Sequence, residues 1–281
     1  MKQLLAPCIG ALVQFFSLPF GLSKRRNFQM GLVVSLLNHK GGVGKTTSTI
    51  NIGAGMVELG KRVLLVDLDP QANLTLSLGA PRVKDTIYEA LRGECELNPV
   101  QIKPGLDVVI STLDLSGAEM ELINEAGREF ILRELFETVI EDYDFIFIDC
   151  PPSLGLLTLN ALTSSNLVLI PLQTEFLAVQ GLAKIKQVID KVGFRLNKNL
   201  RIGGVIATMF DSRKVLNNNV VEIIRKHFGD QVFDTMIRDT VSLAEAPSVQ
   251  QDIFAYKPGS KGAEDYLNLC KEILARIERE G

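Results

Sequence analysis

Cysteine is scarce in this 281-residue chain, with four residues at positions 8, 95, 150 and 270. No two have the spacing of a disulfide framework or a zinc site, and the composition fits a reducing compartment. Long apolar runs are missing too. The stretch from Leu4 to Phe20 is broken by Pro7, Gln14 and Pro19, too short for a bilayer span and without the small-residue cleavage pattern of a secretory signal. Lys24-Arg25-Arg26 and then Met30 follow it. The expectation is that residues 1–29 are a non-native or disordered extension, with a weak membrane anchor as the alternative, and that a single domain occupies 30–281. Internal repeats and low-complexity tracts are absent, which excludes solenoid and fibrous classes.

What is present is a glycine-rich loop, His39-Lys40-Gly41-Gly42-Val43-Gly44-Lys45-Thr46-Thr47. An apolar, β-branched run from Leu32 to Leu37 precedes it, and apolar residues at helical spacing follow from Thr46 to Leu59. A strand, a glycine loop and a helix in that order make a P-loop: backbone N–H groups of Gly41, Gly42, Val43, Gly44 and Thr47 face phosphate oxygens. Lys45 reaches the terminal phosphates and the Thr46 hydroxyl is placed for Mg²⁺. Two further apolar runs end in carboxylates. Arg62 to Val66 delivers Asp67-Leu68-Asp69-Pro70-Gln71, and Phe145 to Ile148 delivers Asp149, a Walker B arrangement followed by Cys150-Pro151-Pro152-Ser153-Leu154-Gly155. Capping of a turn is the plainer reading of Asp67 and Asp69, but beside a phosphate loop the chemical one is preferred. Phosphoryl transfer needs charge and positioning rather than covalent chemistry, so no histidine or cysteine is required and Cys150 is expected to be a plain buried thiol.

Beyond these motifs, strand and helix signals alternate. Strands are expected at 62–66, 106–110, 145–149, 167–170 and 202–208, with Pro171 ending the fourth. Helices are expected near 86–92, 116–123, 128–141, 155–163, 177–192, 215–228 and 262–278, and the polar stretch from Asn73 to Gly79 reads as mobile. Such alternation implies an α/β fold, one P-loop NTPase domain with a doubly wound, mostly parallel sheet and helices on both faces. The formal net charge of −3 hides an asymmetry: between Lys184 and Lys226 ten basic residues face three acidic ones. That segment, with Arg213, Lys214, Arg225 and Lys226, is read as a phosphate-backbone footprint for non-specific DNA, against the alternative of solvated helix faces.

Lys40, one residue after the usual first glycine position, makes the loop a deviant Walker A motif, K-G-G-x-G-K-[ST]. With Leu115 to Leu122, Cys150 to Asn160, Thr208-Met209-Phe210-Asp211-Ser212-Arg213, Leu243 to Ser248 and Gly262-Ala263-Glu264, the chain from about Gly31 to Arg279 resembles the ParA and Soj partition ATPases of the ParA/MinD family. The resemblance implies a cytoplasmic, nucleoid-associated ATPase using ATP and Mg²⁺, in chromosome or plasmid partition. It implies a homodimer in the ATP state in which Lys40 touches the partner's nucleotide. Asp69 orients the attacking water, Asp149 holds Mg²⁺, and Met209 lies near adenine. A ParB-like protein stimulates hydrolysis, and DNA rather than membrane is the expected surface. An iron-protein relative with the same loop is excluded by the missing cluster cysteines. A MinD-like membrane ATPase and a small-molecule enzyme resembling dethiobiotin synthetase remain alternatives. The closing helix carries a stripe of Tyr266, Leu267, Cys270, Ile273, Leu274 and Ile277, expected to pack on the sheet rather than enter lipid. One departure stands out. Where relatives have I-P-R-N, this chain has Ile237-Arg238-Asp239-Thr240. The family's arginine is replaced by an acid, and Arg238 is the candidate to take over DNA contact.

Overall fold

The computed structural model describes residues 31–175 and 178–280. The expected extension 1–29 lies outside the described residues. Seven strands are present among those described: β1 (Leu32–Leu36), β2 (Val63–Asp67), β3 (Val100–Lys103), β4 (Leu106–Val109), β5 (Phe145–Asp149), β6 (Leu167–Gln173) and β7 (Arg201–Thr208). They form one sheet in the order β3-β4-β2-β5-β1-β6-β7. All neighbours are parallel except β3 with β4. The helices are α1 (Lys45–Glu58), α2 (Asn73–Ser77), α3 (Ile87–Leu91), α4 (Leu115–Glu121), α5 (Ile131–Phe136), α6 (Leu156–Ser164), α7 (Ala178–Arg195), α8 (Val215–Phe228), α9 (Val241–Glu245), α10 (Ile253–Tyr256) and α11 (Lys261–Glu280).

The strands read as unbroken apolar runs because both faces are covered. Successive residues of β1 enter different cores: Val33 packs with Leu64, Ile146 and Leu182 on one side, Val34 with Ile52, Met56 and Tyr266 on the other. Helix α1 is wedged between the sheet and α11. A Cβ on Gly53 would come within 2.5 Å of a Leu65 methyl, and one on Gly55 within 2.7 Å of the Cys270 sulfur. Only glycine permits that approach from both sides. Most of the expected stripe on α11 fills this second core: Tyr266, Cys270 and Ile273 are buried and Leu274 and Ile277 pack against it, whereas Leu267 is only half-buried and Leu269 takes its place in the core. The stripe is therefore not a free face for lipid.

Several expected boundaries move. Asn73 to Gly79 is largely helical rather than mobile, since Leu74 and Leu78 are buried beneath its polar surface. β6 continues through Pro171 to Gln173. Proline is tolerated there because β1 pairs β6 only as far as Leu169, so no ladder partner awaits its missing N–H, and the Asn38 amide donates to the Pro171 carbonyl at 2.7 Å. The expected helix 128–141 shrinks to α5, beyond which i→i+3 bonds from Thr138 and Val139 tighten the chain into turns.

Candidate nucleotide site

β1 is the topological switch point: β5, β2, β4 and β3 lie to one side and β6 and β7 to the other. A crevice therefore opens at the carboxyl end of β1, and the loop 39–44 lies over it. Gly42 and Gly44 have φ of 74° and 85°, a conformation that leaves α1 with no side-chain cap on its first turn. Those N–H groups are free to meet an anion. The loop is open above: a Cβ at Gly41 or Gly42 would meet nothing within 4 Å.

Lys45 is 6% exposed, and its ammonium donates to the Lys40 carbonyl at 3.2 Å. Opposite it the ends of β2 and β5 are paired, placing Asp67 beside Asp149. Asp149 is fully buried and accepts hydrogen bonds from the Thr46 hydroxyl at 2.6 Å and the Thr49 hydroxyl at 3.4 Å. Burial first, and the Asp67 charge second, push its carboxyl up to about 8. Asp67 is raised to about 6, again mainly by burial, against the stabilising donation of the Thr75 N–H and hydroxyl. Asp69 accepts from the Gln71 N–H, while its carbonyl is tied to the Ser111 hydroxyl. Cys150 is buried and its thiol is pushed up to about 12 by desolvation and Asp149, which makes it inert.

The donor set fits magnesium. Thr46 and Asp149 offer adjacent hard oxygens facing a phosphate-sized loop. Among the described residues no group of three or more His, Cys, Asp or Glu side chains forms a metal cage. That is the pattern of a cation completed by water and phosphate rather than by protein.

The Lys40 side chain is paired elsewhere. Its ammonium lies 3.7 Å from Glu175 and is 38% exposed. Beyond the loop, a pocket of about 300 Å³ is lined by Gly44, Thr47, Met209, Ile237, Arg238 and Tyr266, among others. Met209 lines this pocket and adopts φ of 51° between the end of β7 and the Phe210–Arg238 bridge. The basic residues are less unified than their sequence suggests. Arg213 and Lys214 precede α8, whereas Arg225 and Lys226 lie in its last turn, about 16 Å away at 1.5 Å per residue. Arg213 is ion-paired to Asp211 and Arg225 to Asp234. Arg238 is held by Asp265 and Glu264. Thr75, Ser111 and Asn38, which brace the carboxylates and the loop, carry no sequence signal that distinguishes them from other polar residues.

The AAA domain family matches residues 31–202. The sporulation initiation inhibitor protein Soj of Bacillus subtilis is 46% identical over 252 residues, covering 88% of this chain and 99% of that protein. The chromosome partitioning protein ParA of Myxococcus xanthus is 44% identical over 266 residues, covering 92% and 94%. This chain belongs to the ParA/Soj family of chromosome-partitioning ATPases. A crystal structure of cobyrinic acid a,c-diamide synthase from Mycobacterium smegmatis with bound ADP and magnesium has a similar fold. Its TM-score is 0.79 at 35% identity, covering 90% of this chain and 97% of that one. As a ParA/Soj-family member the chain carries a P-loop whose companion carboxylates are already gathered at the strand ends. No helix among its described residues is long and apolar enough to cross a membrane.

Proposed function

We propose that this chain is an Mg²⁺-dependent ATPase that pairs face to face with a second copy when ATP is bound, holds DNA without sequence preference, and releases it on hydrolysis stimulated by a ParB-like partner. The observation that carries the reading is the convergence of buried Lys45, the Thr46–Asp149 hydrogen bond and Asp69 at one end of the sheet. Magnesium, when bound, is held by Thr46 and Asp149 and neutralises charge on the phosphate oxygens. Lys45 and the N–H groups of the loop bind and orient the triphosphate. Asp69, two residues beyond the end of β2, positions the attacking water and orients its proton for in-line displacement.

Pairing is supported by apolar side chains left exposed around the same sheet edge: Leu76 at 64%, Leu113 at 69%, Val215 at 74% and Val241 at 72%. Isolated exposed residues are ordinary, but Leu76, Leu113 and Val215 lie in segments that leave the carboxyl ends of β2, β4 and β7, and Val241 follows the Phe210–Arg238 bridge. The Lys40 ammonium is 38% exposed beside Glu175 and can offset the repulsion of two facing triphosphates. Lys40→Ala is therefore expected to weaken ATP-dependent dimerisation by about tenfold or more while changing monomer nucleotide affinity little. Size-exclusion chromatography in an Asp69→Ala background measures it, and an undiminished dimer in the double variant counts against the facing arrangement.

DNA binding is expected to require ATP, to ignore sequence and to fall steeply with salt, because dimerisation doubles a phosphate-directed surface. The separation along α8 sharpens the test. If the edge of α8 nearest the nucleotide faces DNA, Arg213→Glu weakens binding far more than Arg225→Glu, and the reverse holds for the other end. Co-sedimentation with DNA and with anionic liposomes, with and without ATP, decides the surface. Liposome binding without DNA binding would move the reading to a membrane ATPase, against which the buried stripe of α11 already argues.

A further inference from the structure

We propose that Arg238 and Asp239 act as a donor–acceptor pair that reads the purine base at this site, a specificity element in which Arg238 is the rigid member. The inference rests on the nucleotide reading above and extends it to the base.

The pocket beside the loop is otherwise a largely apolar slot, walled by Met209, Ile237, Leu243 and Pro247. Such walls favour a flat ring but cannot orient one. Arg238 and Asp239 also line it, and they are two of the three residues at which this chain departs from the I-P-R-N pattern. Arg238 is fixed before any ligand arrives. Its backbone N–H donates to Asp265 Oδ2 at 2.9 Å, Nε donates to both Asp265 oxygens at 3.0 and 2.9 Å, and Nη2 donates to Glu264 at 2.7 Å. Asp265 is buried, at 8% side-chain exposure. These bonds use Nε and Nη2 and leave the two Nη1 protons as the donors available to a ligand. A guanidinium clamped by two carboxylates loses little further freedom when those donors engage.

Asp239 supplies the complementary group. Its N–H is taken up by the Phe210 carbonyl, which holds the backbone in place. The side chain is exposed, and among the described residues its carboxylate takes part in no ion pair. A purine offers ring-nitrogen acceptors and an exocyclic amine on one flat molecule, matching one fixed donor and one acceptor on adjacent residues. Cytosine carries the same two groups on a smaller ring, so the contrast with CDP reads the reach from the loop. The neighbouring wall is itself rigid, because the Tyr266 hydroxyl meets the Ser48 hydroxyl at 3.1 Å.

Calorimetry on the full chain with Mg²⁺ tests the pair. The ligands are ADP, CDP, purine riboside diphosphate, which lacks the amine, and pyrophosphate, which lacks the base. ADP is expected to bind at least about tenfold more tightly than CDP or purine riboside diphosphate. Arg238→Ala should erase most of the preference for ADP over CDP, and Asp239→Ala the preference for ADP over purine riboside diphosphate. Both should leave pyrophosphate binding unchanged. Asp265→Asn, which loosens the clamp without touching the pocket, should reproduce part of the Arg238→Ala effect. Unchanged ADP affinity in Arg238→Ala, or a parallel loss of pyrophosphate, overturns the proposal. The underlying nucleotide reading fails separately, if Lys45→Ala leaves pyrophosphate binding intact.

Discussion

Lys45→Ala is expected to abolish ATP binding, with affinity falling at least about a hundredfold. The Lys45 ammonium is nearly inaccessible to solvent and makes its one described hydrogen bond to a carbonyl of its own loop. It is therefore held in place to take a stronger anionic partner. Without it the loop keeps its N–H groups and loses its charge. Asp69→Ala should separate binding from chemistry: ATP binds, turnover falls by about 10² to 10⁴ as for loss of a positioned proton acceptor, and the dimer persists. Fluorescent-nucleotide titration and phosphate release read the two effects. Normal turnover by the Asp69→Ala protein removes Asp69 from the mechanism.

Where sequence reading succeeded, local chemistry and tertiary context agreed. The run 145–149 could be nothing but a buried strand, and a glycine loop between strand and helix leaves little freedom. Boundary errors arose where packing overrode a local signal. Asn73 to Ser77 is polar in composition, yet Leu74 anchors it beneath the carboxylate end of β2. The edge strand β3 is not legible in the sequence because Val100 to Lys103 has neither a fully buried face nor clean alternation. Pro171 reads as a terminator until the end of β1 pairing is known. The basic segment illustrates a different limit. Charge can be counted along the chain, but only the fold reveals that its members sit at opposite ends of a helix and that Arg213 and Arg225 already hold carboxylates.

Asp149→Asn is expected to make the nucleotide-free protein more stable at pH 8 while destroying its response to Mg²⁺ and ATP. Asp149 and Asp67 are raised to about 8 and about 6, above the value of about 3.9 for an unfolded aspartate. The folded protein therefore binds protons that the unfolded chain releases. Stability from this source is complete below about pH 4 and is lost as pH rises toward 8. Asparagine keeps an acceptor for Thr46 and removes the ionisation. Its urea-unfolding free energy should exceed that of the wild type by a few kcal/mol at pH 8, with little difference at pH 4.5. Mg²⁺ with ATP should stabilise the wild type only. Parallel pH profiles for the two proteins would refute the account.

The bond between Ser48 and Tyr266 spans 218 positions of the chain and joins the helix that leaves the phosphate loop to the helix that closes the fold. The ribosome releases the phosphate loop early, but the wall against which a base would rest arrives only with α11. A chain growing from its amino end thus holds the elements of an anion site long before it holds a nucleotide site. Discrimination between a nucleotide and a bare phosphate is, in this architecture, a property of the finished polypeptide.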